Sequence, residues 1–190
     1  MDVMELLTTR RTYRRFAQKP VPQDVIDDIV DAARLSSSAA NRQALHLLIV
    51  RRPQDVAAVG ALVKWAAFLP PEQGTPKPDE QPTLFVAVLQ DTSVPGDLNT
   101  DTGIALANMT LAAWARGVGS CIMGAIDRPR LGALLGLPEN YRLHTMVAFG
   151  YPTHTSAVVP LENGNNRYYL DADGNYCVPK RSRAEIAAEL

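Results

Sequence analysis

The chain has 190 residues, of which 46% are hydrophobic and 21% charged, and a formal net charge of −1. That length suffices for one domain with a substantial core, and the charge balance speaks against a nucleic-acid or other polyanion binder. The two cysteines, Cys121 and Cys177, lie far apart without metal-like spacing, as expected of a protein from a reducing compartment.

Residues 1–16 carry Asp2 and Glu5 and lack an apolar h-region, so no secretory signal is expected. No uncharged run reaches the ~20 residues of a membrane span. The expectation is a soluble, cytoplasmic protein with no membrane contact. Asp2 to Thr9 reads as a short helix with Val3, Leu6 and Leu7 apolar, ending in Arg10-Arg11-Thr12-Tyr13-Arg14-Arg15. Lys19-Pro20-Val21-Pro22 is extended, because proline restricts itself and its predecessor. Gln23 to Leu35 is an amphipathic helix, with Val25, Ile26, Ile29, Val30 and Ala33 opposite Asp24, Asp27, Asp28 and Asp31. Ser36 to Gln43 is small and polar, a loop or helix start.

Leu45 to Val50 reads as a buried strand and Gln54 to Leu69 as a helix with Val56, Val59, Leu62, Val63 and Ala66 inward. Pro70 to Pro82 holds five prolines and Gly74, a surface loop. Thr83 to Gln90 is a buried strand. Asp97 to Ile126 is the centre of the chain. Ile104, Asn108, Leu111 and Ala115 share one helical face, and Leu106, Met109 and Ala113 cover much of the rest. This helix should be buried on most sides. Gly117 stops it, and Val118 to Gly124 is extended. Asp127 caps a short helix with Pro129 in its first turn, ending near Gly136. Tyr141 to Gly150 is a strand. Arg167 to Leu170 and Tyr176 to Val178 flank Asp171-Ala172-Asp173-Gly174-Asn175 as a hairpin. A last helix runs from Ala184 to Leu190. Helices and strands interleave around one sheet.

Several groupings bear on chemistry. The Arg10 to Arg15 cluster is either a phosphate clamp, which suits the guanidinium fork, or a solvated helix end. The Ser36 to Gln43 loop either lies against a polar ligand edge or simply connects two elements. Gly117 to Gly124 is not a dinucleotide fingerprint, because the helix precedes the glycines instead of following them. Asp171 to Asn175 lacks the glutamate of a calcium loop, since Ser182 stands there. His46, His144 and His154 have no metal-like spacing, and no GxSxG, HExxH or P-loop occurs.

Arg10-Arg11-Thr12-Tyr13-Arg14-Arg15-Phe16, Ala32 to Gln43, Asp101 to Ala105 continuing through Leu111-Ala112-Ala113, Gly117 to Ser120, Ala148-Phe149-Gly150-Tyr151-Pro152 and Pro179-Lys180-Arg181 follow one another in a fixed order. In that order they resemble the nitroreductase family of FMN-dependent oxidoreductases, over nearly the whole chain. The resemblance implies an α+β fold with a central antiparallel-rich sheet flanked by helices. It also implies an intertwined homodimer with two FMN sites, each built from both chains. By position, Arg10, Arg11 or Thr12, and Lys180 with Arg181 would hold the FMN phosphate, and Arg14 would approach the pyrimidine edge. Ser37, Ser38 and Asn41 would come from the partner chain, and Met123 and Gly124 would lie at the flavin N5 edge.

The activity implied is a ping-pong NAD(P)H oxidoreductase acting on nitroaromatic, quinone or similar small acceptors, with the flavin carrying the chemistry and no catalytic side chain demanded. The alternatives are an FMN reductase, dehalogenase or enone reductase, or a flavin-binding protein without turnover. This sequence departs from the family in two places. Gln43-Ala44-Leu45 stands where many relatives have Gln-Pro-Trp, and Pro70 to Pro82 stands where relatives place a helical cover.

Overall fold

The computed structural model describes residues 2–189. Helix α1 (Val3–Thr9) opens the chain, capped by Asp2 accepting from the Glu5 N–H. A short strand β1 (Phe16–Ala17) and helix α2 (Gln23–Arg34) follow. Strand β2 (Leu45–Val50) leads to α3 (Pro53–Gly60), a single turn α4 (Pro71–Gly74) and strand β3 (Leu84–Asp91). Helix α5 (Asn99–Ala115), strand β4 (Gly119–Met123) and helix α6 (Arg128–Leu135) lead to the long strand β5 (Tyr141–Pro152). Strands β6 (Ser156–Pro160), β7 (Tyr169–Leu170) and β8 (Tyr176–Lys180) complete the set.

The main sheet runs β1-β5-β3-β2, with β4 also on β5, and its pairings are antiparallel. Strand β3 sits in the middle and explains the two-layered core. Phe85, Ala87 and Leu89 point to one face, where Val56, Val59 and Leu131 pack, while Leu84, Val86 and Val88 point to the other, against Val25, Ile29, Leu106 and Met109. A strand covered on both faces reads as one continuous apolar run, as this one does. β2, β3, β5 and the helices α2 and α6 fall where their patterns put them; Asp127 caps α6 and Gly136 closes it at φ 62°.

Four expectations fail. The helix expected over 54–69 ends at Gly60, a poor helix former. Beyond it Val63 bridges Ile126, with the Lys64 N–H on the Ala125 carbonyl and the Asp127 N–H on the Leu62 carbonyl, each at 2.9 Å. Those long-range bonds replace the helical ones. The 70–82 segment is not wholly irregular, since α4 and a 3-10 turn at Pro78–Glu80 lie within it. A second sheet, β6-β8-β7, joins the first, with β6 and β8 parallel; its β7–β8 half is the hairpin read from sequence. The last helix is only a 3-10 turn, Arg183–Glu185, and Leu190 lies outside the described residues. Residues 181–189 are all exposed, so nothing packs against so short a helix to hold it.

The burial of α5 also differs from expectation. Ala105, Leu106, Met109 and Ala113 are buried, but Ile104 is 36% exposed and Ala107 and Ala115 are exposed too. The chain covers one side of an all-round apolar helix and leaves Ile104, Ala107 and Ala115 open, while Asn108 and Leu111 are half-buried and Asn108 Nδ2 donates to Ser36 Oγ at 2.8 Å. Helix α1 shares this property, with Val3, Met4 and Leu7 exposed.

Candidate functional site: a basic segment along strand β4

The N–H of Arg10 closes α1 on the Leu6 carbonyl at 2.9 Å, and Arg10 itself is extended (φ −60°, ψ 125°). The chain therefore leaves the helix as a strand-like segment. Thr12 forms a parallel bridge to Ser120, and the Tyr13 N–H donates to the Ser120 carbonyl at 2.9 Å. The approach is close because residue 119 is glycine: a Cβ there would lie 2.6 Å from Pro152 Cγ and 2.7 Å from Tyr13 Cδ2. Tyr13 stacks on Trp114 at 5.1 Å, and Trp114 Nε1 donates to Thr9 Oγ1 at 2.8 Å.

Arg10, Arg11 and Thr12 are half-buried here. The Arg11 guanidinium donates to the carbonyls of Thr8 and Arg10. Burial, and then the neighbouring Arg11 charge, lower the Arg10 pKa from its ordinary value. Among the described residues no carboxylate pairs with Arg10, Arg11 or Arg14. Two adjacent cations partly withdrawn from water and without a counter-charge form a site that favours an anion.

From Ser120 strand β4 leads to its end at Met123, about 10 Å away at ~3.3 Å per residue, with Gly124 the next residue. Met123 is buried and its carbonyl accepts from Thr145 Oγ1 at 2.6 Å, while Gly124 is exposed, with open space where a Cβ would point. The basic segment thus meets β4 at Ser120, and Met123 and Gly124 lie at the far end of that strand and just beyond it. Cys121 between them is buried and its thiol is pushed up to about 11, which leaves it unreactive at neutral pH.

Arg14 lies within a cluster that sequence reasoning missed. Its guanidinium sits over the rings of Tyr168 and Tyr176, at 4.6 and 4.8 Å. Tyr168 Oη accepts from the Phe68 N–H at 3.3 Å, tying the 66–69 turn to the C-terminal segment. His154 packs against Tyr13 and Tyr176, and neither of its buried ring nitrogens has a partner. Burial, Arg15 and Arg14 push its pKa down to about 4, so the ring is neutral at pH 7. The tyrosines 168 and 176 were legible only as flanks of a turn; no local pattern announces a stack on residue 14.

Ser37, Ser38 and Asn41 lie elsewhere. Their loop enters β2 at Leu45, which pairs with Gln90, and Gln90 in turn pairs with Arg142. Thr12 is beside Ser120, which pairs with Phe149. Strand β5 spans about 23 Å between Arg142 and Phe149 at ~3.3 Å per residue. Helix α5 joins the two regions: at its start Asp101 Oδ1 accepts the Ala39 N–H at 3.1 Å, and near its end Trp114 holds Thr9. Within one chain the basic segment and the serine loop do not meet. Lys180 and Arg181 are exposed at the end of β8, and Arg181 reaches the Glu185 carbonyl at 3.5 Å. Among the described residues no hydrogen bond joins them to Arg10 or Thr12. Nor does any group of three His, Cys, Asp or Glu side chains form a metal cluster among them.

Comparison with known proteins gives this arrangement a context. A protein of Methanothermobacter thermautotrophicus named as NADH dehydrogenase/NAD(P)H nitroreductase is 30% identical over 186 residues, covering 91% of this chain and 85% of that one. The FMN reductase [NAD(P)H] of Bacillus subtilis is 26% identical over 84% of this chain and 69% of its own. The crystal structure of a nitroreductase family protein from Streptococcus pneumoniae TIGR4 superposes with a TM-score of 0.70 at 19% identity, covering 100% of both chains. Residues 7–151, from the end of α1 through the whole basic segment, α5 and β4 to the close of β5, match the nitroreductase family model, and the chain belongs to that family.

Proposed function

We propose that this protein is an FMN-dependent NAD(P)H oxidoreductase that works by ping-pong exchange on nitroaromatic, quinone or similar small acceptors. One observation carries the reading: Arg10 and Arg11 are half-buried and adjacent, with no carboxylate partner among the described residues, in the segment that meets β4 at Ser120, and the open Gly124 follows the end of that strand. That donor set fits a phosphate at one end and a flat ring at the other. The relative named FMN reductase [NAD(P)H] supports the same choice of cofactor.

When bound, FMN supplies two-electron transfer between NAD(P)H and the acceptor. The chain binds, orients and tunes. Arg10, with Arg11 or Thr12, holds the phosphate, and Lys180 and Arg181 add charge from the C-terminal sheet. Arg14, kept in place by the tyrosine rings, brings a fixed cation to the pyrimidine edge, where added electron density is favoured by positive charge. Met123 and Gly124 would lie at the N5 edge and offer backbone N–H, and Gly124, with open space where a Cβ would point, would leave room for a substrate.

The site needs two chains. Ser37, Ser38 and Asn41 are too far from the basic segment to share a flavin with it in one protomer, and the exposed Ile104, Ala107 and Ala115 of α5, with Val3, Met4 and Leu7 of α1, are apolar surface that a second copy would cover. We therefore infer a homodimer, each protomer a single FMN-binding domain, with the serine loop donated across the interface. No described helix is long and apolar enough to cross a membrane, and the unpaired Cys121 and Cys177 support a cytoplasmic location.

The visible spectrum of the purified protein tests the reading, followed by anaerobic addition of NADH and of NADPH. Flavin absorption that one nucleotide bleaches is expected. FMN that binds but is bleached by neither indicates a flavin carrier, and a protein that takes up no FMN refutes the site.

A further inference from the structure

The Ser38–Gln43 loop has an unusual backbone. Ala40, Asn41 and Gln43 have φ of 51°, 54° and 49°, a left-handed region that residues other than glycine seldom adopt. Something outside the loop must hold it. Arg42 provides part of the restraint, its Nε on the Ala39 carbonyl at 3.0 Å and its Nη1 on the Pro95 carbonyl at 2.5 Å. Ser38 Oγ accepts the Gln43 N–H at 3.2 Å. Helix α5 adds two ties, Asn108 Nδ2 donating to Ser36 Oγ at 2.8 Å just before the loop and the Asp101 carboxylate bonding within it. This carboxylate is only 4% exposed, in the first turn of α5, and its Oδ1 accepts the Ala39 N–H at 3.1 Å. Its Oδ2 is buried without a partner.

A carboxylate held out of water with one oxygen unpaired is costly to keep. The positive end of the α5 dipole offsets part of that cost and does not remove it. Oδ1 accepts from the Ala39 N–H, at the residue where the left-handed turn begins.

We propose that Asp101 is a positioning residue for flavin binding. Its carboxylate fixes the Ala39 N–H and thereby the turn that presents Ser37, Ser38 and Asn41 across the dimer interface. The inference rests on the flavin reading above. Asp101 touches no reacting atom; it acts through the loop.

Three variants of the full-length protein test it by titration of the apoprotein with FMN. Asp101→Leu removes the acceptor at similar volume, and Asp101→Asn keeps a side-chain carbonyl in its place. Ala39→Pro removes the donor from the other side. Ser38 has ψ 148°, which a following proline tolerates, and Ala39 opens a 3-10 turn, where proline is accommodated. Asp101→Leu and Ala39→Pro should each weaken FMN binding about tenfold, the loss of one hydrogen bond to a charged group. The double variant should be no weaker than either single one, and Asp101→Asn should stay within about twofold of wild type because the bond survives. Wild-type affinity in Ala39→Pro overturns the proposal even if Asp101→Leu does not fold. Additive losses in the double variant, or a loss in Asp101→Asn equal to that in Asp101→Leu, also overturn it. A wild-type protein that takes up no FMN refutes the flavin reading itself, whereas wild-type uptake with unaffected variants removes Asp101 alone.

Discussion

Replacing Arg10 with alanine should weaken FMN binding about 10- to 150-fold and leave the fold almost untouched. The magnitude follows from the state of the side chain. Arg10 is half-buried beside Arg11, and both burial and that neighbour disfavour its charge. It has no carboxylate partner among the described residues, so a bound phosphate would provide its counter-charge. One charge-assisted hydrogen bond is worth about 1.5–3 kcal/mol, which is the stated range of Kd. The bond that closes α1 uses the Arg10 backbone N–H and survives the change, so Tm should move by no more than about 2 °C. The assay is fluorescence titration of the apoprotein with FMN and, in parallel, with riboflavin, which lacks the phosphate. The FMN loss should shrink as salt is raised, and riboflavin affinity should not change. Equal losses for both ligands, or an unchanged FMN affinity, would remove Arg10 from the phosphate site.

Three further outcomes are expected. Gly119→Ala places a Cβ against Pro152 and Tyr13, so Tm should fall by roughly 3–10 °C; a thermal melt identical to wild type would show that the segment yields freely. Arg14→Met removes the cation stacked on Tyr168 and Tyr176, and the flavin midpoint potential should drop by about 30 mV, equivalent to ~1.4 kcal/mol for two electrons; spectroelectrochemical titration reads this, and a rise would contradict the tuning role. Burial, and then Arg15 and Arg14, hold the His154 pKa down to about 4 in the folded chain, against 6.5 when unfolded. The unfolded chain therefore binds the proton first, and stability should decline as pH falls from 6.5 towards 4. His154→Phe should flatten that slope in urea melts, and an unaltered pH dependence would assign it to other groups.

The parts of the fold legible in the sequence are those written in local signals. Strand β2 is an apolar run between turn residues, α2 repeats with helical period, and α6 carries both its cap at Asp127 and its stop at Gly136. What was not legible depends on distant partners. Val63 continues a helical pattern but pairs with Ile126, since an outside strand competes for its backbone. An apolar pattern all round α5 states that the helix is covered and not by which chain; Ile104 and Ala115, expected to be buried, are left open by their own chain. In the candidate site, the basic segment was visible as a cluster, whereas its place along β4 depends on the Thr12–Ser120 bridge. The stack of Tyr168 on Arg14 has no sequence spacing to reveal it, and the burial of Asp101 has no local signal either, because an acidic residue in a first helical turn is common on exposed helices.

Helix α5 has fixed attachments at both ends, Ala39 on Asp101 and Thr9 on Trp114. It therefore acts as a gauge. One inserted residue between those ends would lengthen it by about 1.5 Å and turn Trp114 by about 100° away from Thr9, so the error could not be absorbed by small shifts. A change that preserved the facing of both ends would need whole turns of about 5.4 Å, and each would move the serine loop and the basic segment apart by the same step. Length variation is therefore quantised in α5.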